Sequence, residues 1–213
     1  MKLRAEKPVL EVKMDFKTSE TKLNLMRAFA GESQARNRYT IAAGQAKKEN
    51  LHVVEAVFNY TAGQELEHAK IFYNYLSQVA GETLKIDGGY PVDIASTTAE
   101  LLRMAAHNEF EEYEDAYPSF ANTAESEGFV QIAASFRNVA EIEKTHGDRF
   151  KMFATMLETD RLFVSDVACE WVCLNCGHTF TGEKVPEMCP VCQHNKGYFI
   201  RLEFAPYARV QDK

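Results

Sequence analysis

The sequence predicts an all-α four-helix bundle followed by a small β-rich metal-binding module, and three observations carry that expectation. Apolar residues recur with helical spacing from about Thr18 to Leu157, in four long blocks separated by short breaks. Each block carries a glutamate, or a glutamate paired with a histidine three residues on, where an apolar face is expected. All five cysteines fall between Cys169 and Cys192, where composition shifts to short β-like runs and Cys, Gly and Pro turns.

The first helix is expected from about Ser19 to Lys48, breaking near Glu49 and Asn50, and the second from about His52 to Val79, stopping at Gly81. So short a turn favours an antiparallel pair. The segment GETLKIDGGYPVDIAS, with Gly88, Gly89 and Pro91, is too interrupted for helix and long enough to cross from one end of a bundle to the other. Thr97 and Glu100 then offer a capping box for the third helix. Pro118 lacks a backbone donor and should kink or interrupt that helix. Glu127 and Gly128 close the block, and a fourth helix follows from about Phe129 to Leu157.

Beyond about Asp160 the β-like runs are Glu170 to Val172 and Tyr198 to Phe204, so the chain divides into residues 1–160 and 161–213. The stretch of about 45 residues from Cys169 onward that holds these runs and the cysteines is too small for a self-sufficient core, which makes a bound metal its expected source of stability. The whole chain, 213 residues with 46% hydrophobic and 26% charged, has ordinary globular composition. Its net charge of -7 argues against nucleic acid and polybasic membrane binding. No apolar run reaches the ~20 residues of a membrane span, and the opening segment builds no signal-peptide core, so the expected location is cytoplasmic.

The chemistry is concentrated in the helices. Glu65 with His68, and Glu143 with His146, are three apart and project from one helix face. Glu32 lies among small Ala28, Ala30 and Gly31, and Glu109 with Glu112 repeats the spacing with a second carboxylate. Glu32 to Glu65 is 33 residues and Glu109 to Glu143 is 34, as expected of two similar hairpins placing carboxylates at matching heights. Five carboxylates turned into one core would repel each other and suffer desolvation unless cations neutralised them. A glutamate from two helices with E-x-x-H from the other two is a di-iron pattern, and hard oxygens with imidazole suit iron or manganese.

Cys173 with Cys176, and Cys189 with Cys192, are C-x-x-C turns able to place four thiolates around one tetrahedral metal. Spacing alone admits iron or zinc; a one-electron iron would supply the bundle with electrons, whereas zinc would serve folding only. Cys169 reads as a small packing residue, and His178 and His194 as loop residues. Tyr39 and Tyr113 stand close in sequence to Glu32 and Glu112, and each is either a packing residue or a hydrogen-bond donor to a ligand.

AFAGESQARNRY, QELEHAK, EFEEYEDAYPSF, IEKTH and the VCLNCG and MCPVC knuckles, in this order over nearly the whole chain, resemble the rubrerythrin family. The resemblance implies a ferritin-like bundle, a rubredoxin-like tail and a peroxidase that reduces hydrogen peroxide to water in oxidative-stress protection. It implies that Glu65 and Glu143 bridge two irons, that Glu32 and Glu112 hold one and Glu109 and His146 the other, and that His68 exchanges with Glu112 on reduction. It further implies one iron at the four cysteines, an NAD(P)H-dependent reductase or a rubredoxin as electron donor, and a homodimer or homotetramer, with helices swapped in some members. Residues 1–15 extend beyond the usual start and receive no role. The rival readings are a ferroxidase or iron-storage bundle with a structural tail, and a zinc-ribbon tail acting as an interaction module.

Overall fold

The computed structural model describes residues 14–206, so most of the N-terminal extension lies outside the described residues. Helix α1 (Glu20–Lys48) and helix α2 (His52–Tyr75) form the first antiparallel pair. Asn50, at φ 59°, turns the chain between them, and the amide of Leu51 donates to the Ala46 carbonyl. The same left-handed exit recurs at Gly128 and Asp160, where Phe129 and Arg161 donate to the carbonyls of Ala124 and Met156. This closure satisfies carbonyls that a helix end otherwise leaves free.

After Gly81 the crossover has no regular structure until Thr97. Successive anchors hold it along α1: Asp87 to Arg27 at 2.7 Å, the Tyr90 hydroxyl to the Arg27 carbonyl at 3.0 Å, Asp93 to Arg38, and the Ser96 carbonyl to Gln45 at 2.9 Å. The Thr97 and Glu100 capping box forms as its sequence implies and starts α3 (Thr98–Glu111). The interruption expected at Pro118 begins before it, as a π-helical turn over Glu112–Ala116; α4 (Tyr117–Ser126) then starts with the proline in its first turn, where no intrahelical donor is needed. Together α3, the π turn and α4 make the third bundle helix, and α5 (Val130–Glu158) makes the fourth.

The bundle interior is two apolar plugs. One is built around Tyr39, Phe58, Leu102 and Phe150, the other around Leu25, Phe72, Tyr117 and Phe136. The acidic and histidine residues singled out above fall between the plugs on every helix.

The C-terminal module is a three-stranded antiparallel sheet in the order β2, β1, β3, with β1 at Val164–Cys173, β2 at Thr179–Lys184 and β3 at Phe199–Arg201. Strand β2 went unpredicted because its alternation of threonine, phenylalanine and charge leaves most of it exposed. The second β-like run is shorter than its sequence implies: Leu202–Phe204 forms a 3-10 turn beyond the pairing with β1. Trp171 is fully buried and donates to the Gly182 carbonyl at 2.8 Å. The module sits on the α1–α2 turn, where His52 stacks on Tyr198 with ring centroids 4.0 Å apart. Gly197 passes so close that a Cβ there would lie 1.7 Å from the Asn50 carbonyl oxygen.

Candidate metal centres

Helical spacing delivers four buried carboxylates and two imidazoles to the layer between the plugs. Glu32 reaches it because Ala28, Gly31 and Ala35 keep the surrounding face of α1 thin. Glu65 and His68 come from α2, Glu109 from α3, and Glu143 and His146 from α5. These atoms form two overlapping groups, Glu32, Glu65, His68 and Glu143, and Glu65, Glu109, Glu143 and His146, each with its ligand atoms all within 4.8 Å of one another. Glu65 and Glu143 belong to both groups. His68 Nδ1 lies 2.8 Å from Glu143 and 3.2 Å from Glu65; His146 Nδ1 lies 2.8 Å from Glu143 and 3.0 Å from Glu65.

Those approaches are close but not aligned as hydrogen bonds. Glu32 Oε2, Glu65 Oε1, Glu109 Oε2, both Glu143 oxygens, His68 Nδ1 and both His146 nitrogens are buried without a hydrogen-bond partner among the described residues. Each such group costs about 1–3 kcal/mol, and more when charged. So many orphaned donor atoms converging on one layer fit cations and have no apolar explanation.

Proton affinities are split accordingly. Burial raises Glu32, and a neighbouring Glu65 adds to it against His68, leaving it at about 8. Burial would raise Glu65 as well, but His146 and His68 outweigh it and hold Glu65 at about 2. Burial would lower both histidines; contact with Glu32 and Glu65 instead raises His68 to about 10, and Glu109, Glu143 and Glu65 raise His146 to about 11. Glu143 is raised, first by burial and then by Glu32 and Glu109.

Two phenols complete the layer. Tyr39 donates to Glu109 Oε1, and Tyr117 donates to Glu32 Oε1. Burial, reinforced by the adjacent carboxylates, raises both phenols well above their usual pKa, so each remains a neutral donor. The sequence reading missed Tyr117, and no spacing within its own helix marks it, because its partner Glu32 lies on α1 and the π turn separates it from Glu109. Tyr113, by contrast, packs partly buried against the plug built around Leu25, Phe72, Tyr117 and Phe136. Glu112 is not gathered into either group. It opens the π turn, is half-buried, and lines a cavity of about 390 Å³ beneath Tyr90 of the crossover. Burial and the charges of Glu32 and Glu109 raise its pKa well above the usual carboxylate value.

In the C-terminal module the two knuckles superimpose in their bonding. Cys173 N–H donates to the His178 carbonyl and Cys189 N–H to that of His194, while Gly177 and Gln193, at φ 77° and 59°, donate back to Cys173 and Cys189. The four sulfurs lie within 4.8 Å of one another, with Cys173 to Cys192 at 3.8 Å and Cys176 to Cys189 at 3.7 Å. A tetrahedral metal with bonds of about 2.3 Å to sulfur requires sulfurs roughly 3.8 Å apart. Cys173 is raised to about 12, chiefly by burial, and Cys192 is lowered to about 6, chiefly by the His194 N–H. His178, His194 and Cys169 stay outside the group; Cys169 packs against the core of the sheet.

Comparison with known proteins agrees with this geometry. Residues 24–154 match the family model described as rubrerythrin, and residues 171–200 match that of the rubrerythrin rubredoxin-like domain. The chain is 45% identical to a rubrerythrin of Porphyromonas gingivalis, over 89% of this chain and 93% of the relative. It is 42% identical to a rubrerythrin of Nitratidesulfovibrio vulgaris, over 87% and 96%. The structure is similar to that of partially reduced nigerythrin, with a TM-score of 0.58 and 26% identity over 94% of this chain and 100% of that one.

Fold and site together define a ferritin-like di-iron protein with a four-cysteine, rubredoxin-like electron-transfer module. Among the described residues no helix is long and apolar enough to cross a membrane. The chain belongs to the rubrerythrin family, which is a family of oxidoreductases.

Proposed function

We propose that the protein is a peroxidase that reduces hydrogen peroxide to water at the bundle centre, with electrons delivered through iron at the four cysteines. The observation that supports this reading most is the sharing of Glu65 and Glu143 between two buried ligand groups, on the same chain as a tetrathiolate. Iron held there would supply the two electrons that break the O–O bond of the peroxide, and two protons would complete two waters.

The chain's own residues set the conditions. Glu65 and Glu143, common to both groups, would hold both metals, Glu32 and His68 would hold one, and Glu109 and His146 the other. Tyr39 and Tyr117 fix the orientation of Glu109 and Glu32 through neutral hydrogen bonds that carry no extra charge into the layer. Glu112, poised at the π turn, would be the group that exchanges with His68, and the local widening of the helix would give its carboxylate room to swing. The apolar plugs exclude bulk water from both sides. The division of labour falls near residue 160, the working location is the cytoplasm, and an NAD(P)H-linked reductase or a rubredoxin refills the thiolate iron.

Metal analysis with visible spectra of anaerobically purified protein tests this. Two irons in the bundle, one at the thiolates and rapid oxidation of the reduced form by one equivalent of peroxide are expected. Zinc at the thiolates, or a reduced form indifferent to peroxide but loading excess iron, would contradict it in favour of a ferroxidase.

A further inference from the structure

Arg149 is the one half-buried arginine among the described residues that lacks a carboxylate partner. Arg27, Arg38, Arg103, Arg161 and Arg201 each have one within 4.0 Å. Arg149 instead donates to two neutral oxygens on the facing helix, Thr61 Oγ1 at 3.0 Å and Gln64 Oε1 at 3.1 Å, and lies over the Tyr60 ring, 5.3 Å from its centroid. Desolvating a cation without a counter-ion is costly, and an arginine at the surface avoids it by turning to water or to an acid. Here Glu203 lines the same 280 Å³ cavity, yet its carboxylate turns to Arg201 at 3.9 Å.

Position explains what the cation faces. Arg149 is one turn beyond His146 on α5; Thr61 is one turn before Glu65 on α2, and Gln64 is its immediate neighbour. Burial lowers the pKa of the guanidinium, and Tyr60, Glu109 and Glu65 act against that. Its field therefore reaches two of the carboxylates proposed to hold the metal with His146. A fixed cation stabilises whichever state of the centre carries the extra electron.

We propose that Arg149 is a positioning residue that sets the redox balance of the bundle's iron centre, tethered by Thr61 and Gln64 and left without a counter-ion so that its charge acts on Glu65 and Glu109. Neutral tethers hold the charge in place without cancelling it, as a carboxylate partner would. This inference rests on the reading of the bundle as a redox-cycling di-iron centre.

The test is a potentiometric titration of the full-length, iron-loaded protein and its variants. Arg149→Gln, which keeps a donor for Thr61, should favour the oxidised bundle centre by about tenfold, roughly 59 mV for a one-electron couple. Arg149→Lys should shift it far less, and the thiolate iron should not move in either variant. Arg149→Met repeats the neutralisation with the apolar stem retained, should the glutamine variant fail to fold. An unchanged or raised potential in the neutral variants, or a lysine variant shifted as far as they are, would overturn the proposal. A bundle with no titrating iron would overturn this inference together with the function it rests on; a titrating centre indifferent to Arg149 overturns this one alone.

Discussion

His68 and His146 face each other across the bundle with ring centroids 5.6 Å apart and planes 15° from parallel, and Glu65 and Glu143 approach both rings. Each histidine thus marks the centre of one ligand group, and the two shared carboxylates tie the groups together. Loss of a shared carboxylate should therefore remove both metals, whereas loss of an unshared group should remove one at most.

Glu143→Gln tests this relationship. Metal analysis should show the bundle iron lost and the thiolate metal retained. Because an amide removes a buried acid crowded by Glu32, Glu109 and Glu65 and offers an N–H to their unpartnered oxygens, the chelator-treated variant should unfold at higher urea than the equally treated parent, by about 1 kcal/mol. A destabilised apoprotein would show that the carboxylate supports the fold rather than the metal.

His68→Ala should slow oxidation of the reduced protein by peroxide while leaving most bundle iron in place, since in the proposed exchange Glu112 would take over the vacated position. Stopped-flow absorbance reads the rate and metal analysis the loading. Unchanged peroxide kinetics would remove His68 from the proposed exchange.

Tyr117→Phe deletes the donor to Glu32 and leaves a second buried oxygen of that carboxylate without a partner. The expected cost is about 1–3 kcal/mol in urea unfolding of the apoprotein. Tyr113→Phe, at a residue packed against the plug of Phe72 and Phe136, should cost far less.

Glu127 gives a pH-dependent contribution far from the metals. Its carboxylate accepts from the Glu20 and Thr21 amides and the Thr21 hydroxyl at the start of α1. Partial burial would raise its pKa, but these bonds prevail and lower it. A lowered carboxylate stabilises above its unfolded pKa, about 4.3, and that contribution disappears as pH falls through the folded value. Glu127→Gln should therefore lose about 1 kcal/mol at pH 7, with the difference from the parent shrinking below about pH 4. A difference independent of pH would mean the cap works without its charge.

Gly197→Ala probes the seam between bundle and module. A Cβ would meet the Asn50 carbonyl, a backbone atom fixed by the left-handed turn, so about 1–3 kcal/mol should be lost. Thermal melting reads the loss, and a parent-like melting temperature would show that the seam opens freely.

Much of this was legible in the sequence because it is local. The E-x-x-H pairs, the Thr97 capping box and the C-x-x-C knuckles each specify geometry within a few residues, and helical spacing carries Glu32 and Glu109 to the same layer. Tyr117 was not legible in this way, since its partner Glu32 lies 85 residues away on another helix. The withdrawal of Glu112 depends on a π turn, which regular helical spacing cannot anticipate. Strand β2 was missed because an edge strand with little burial leaves a weak apolar pattern. Arg149 acts through what it lacks, a carboxylate partner, which only the folded arrangement reveals.

The central claim is that the bundle centre reacts with peroxide as a two-electron reductant. Stopped-flow mixing of the anaerobically reduced, iron-loaded protein with one equivalent of hydrogen peroxide tests it most directly. Oxidation of the bundle irons by that single equivalent, followed by electron transfer from the thiolate iron and growth of its ferric-thiolate colour, is the predicted result. Oxidation no faster than that by dissolved oxygen, or a requirement for several equivalents of peroxide, would contradict it.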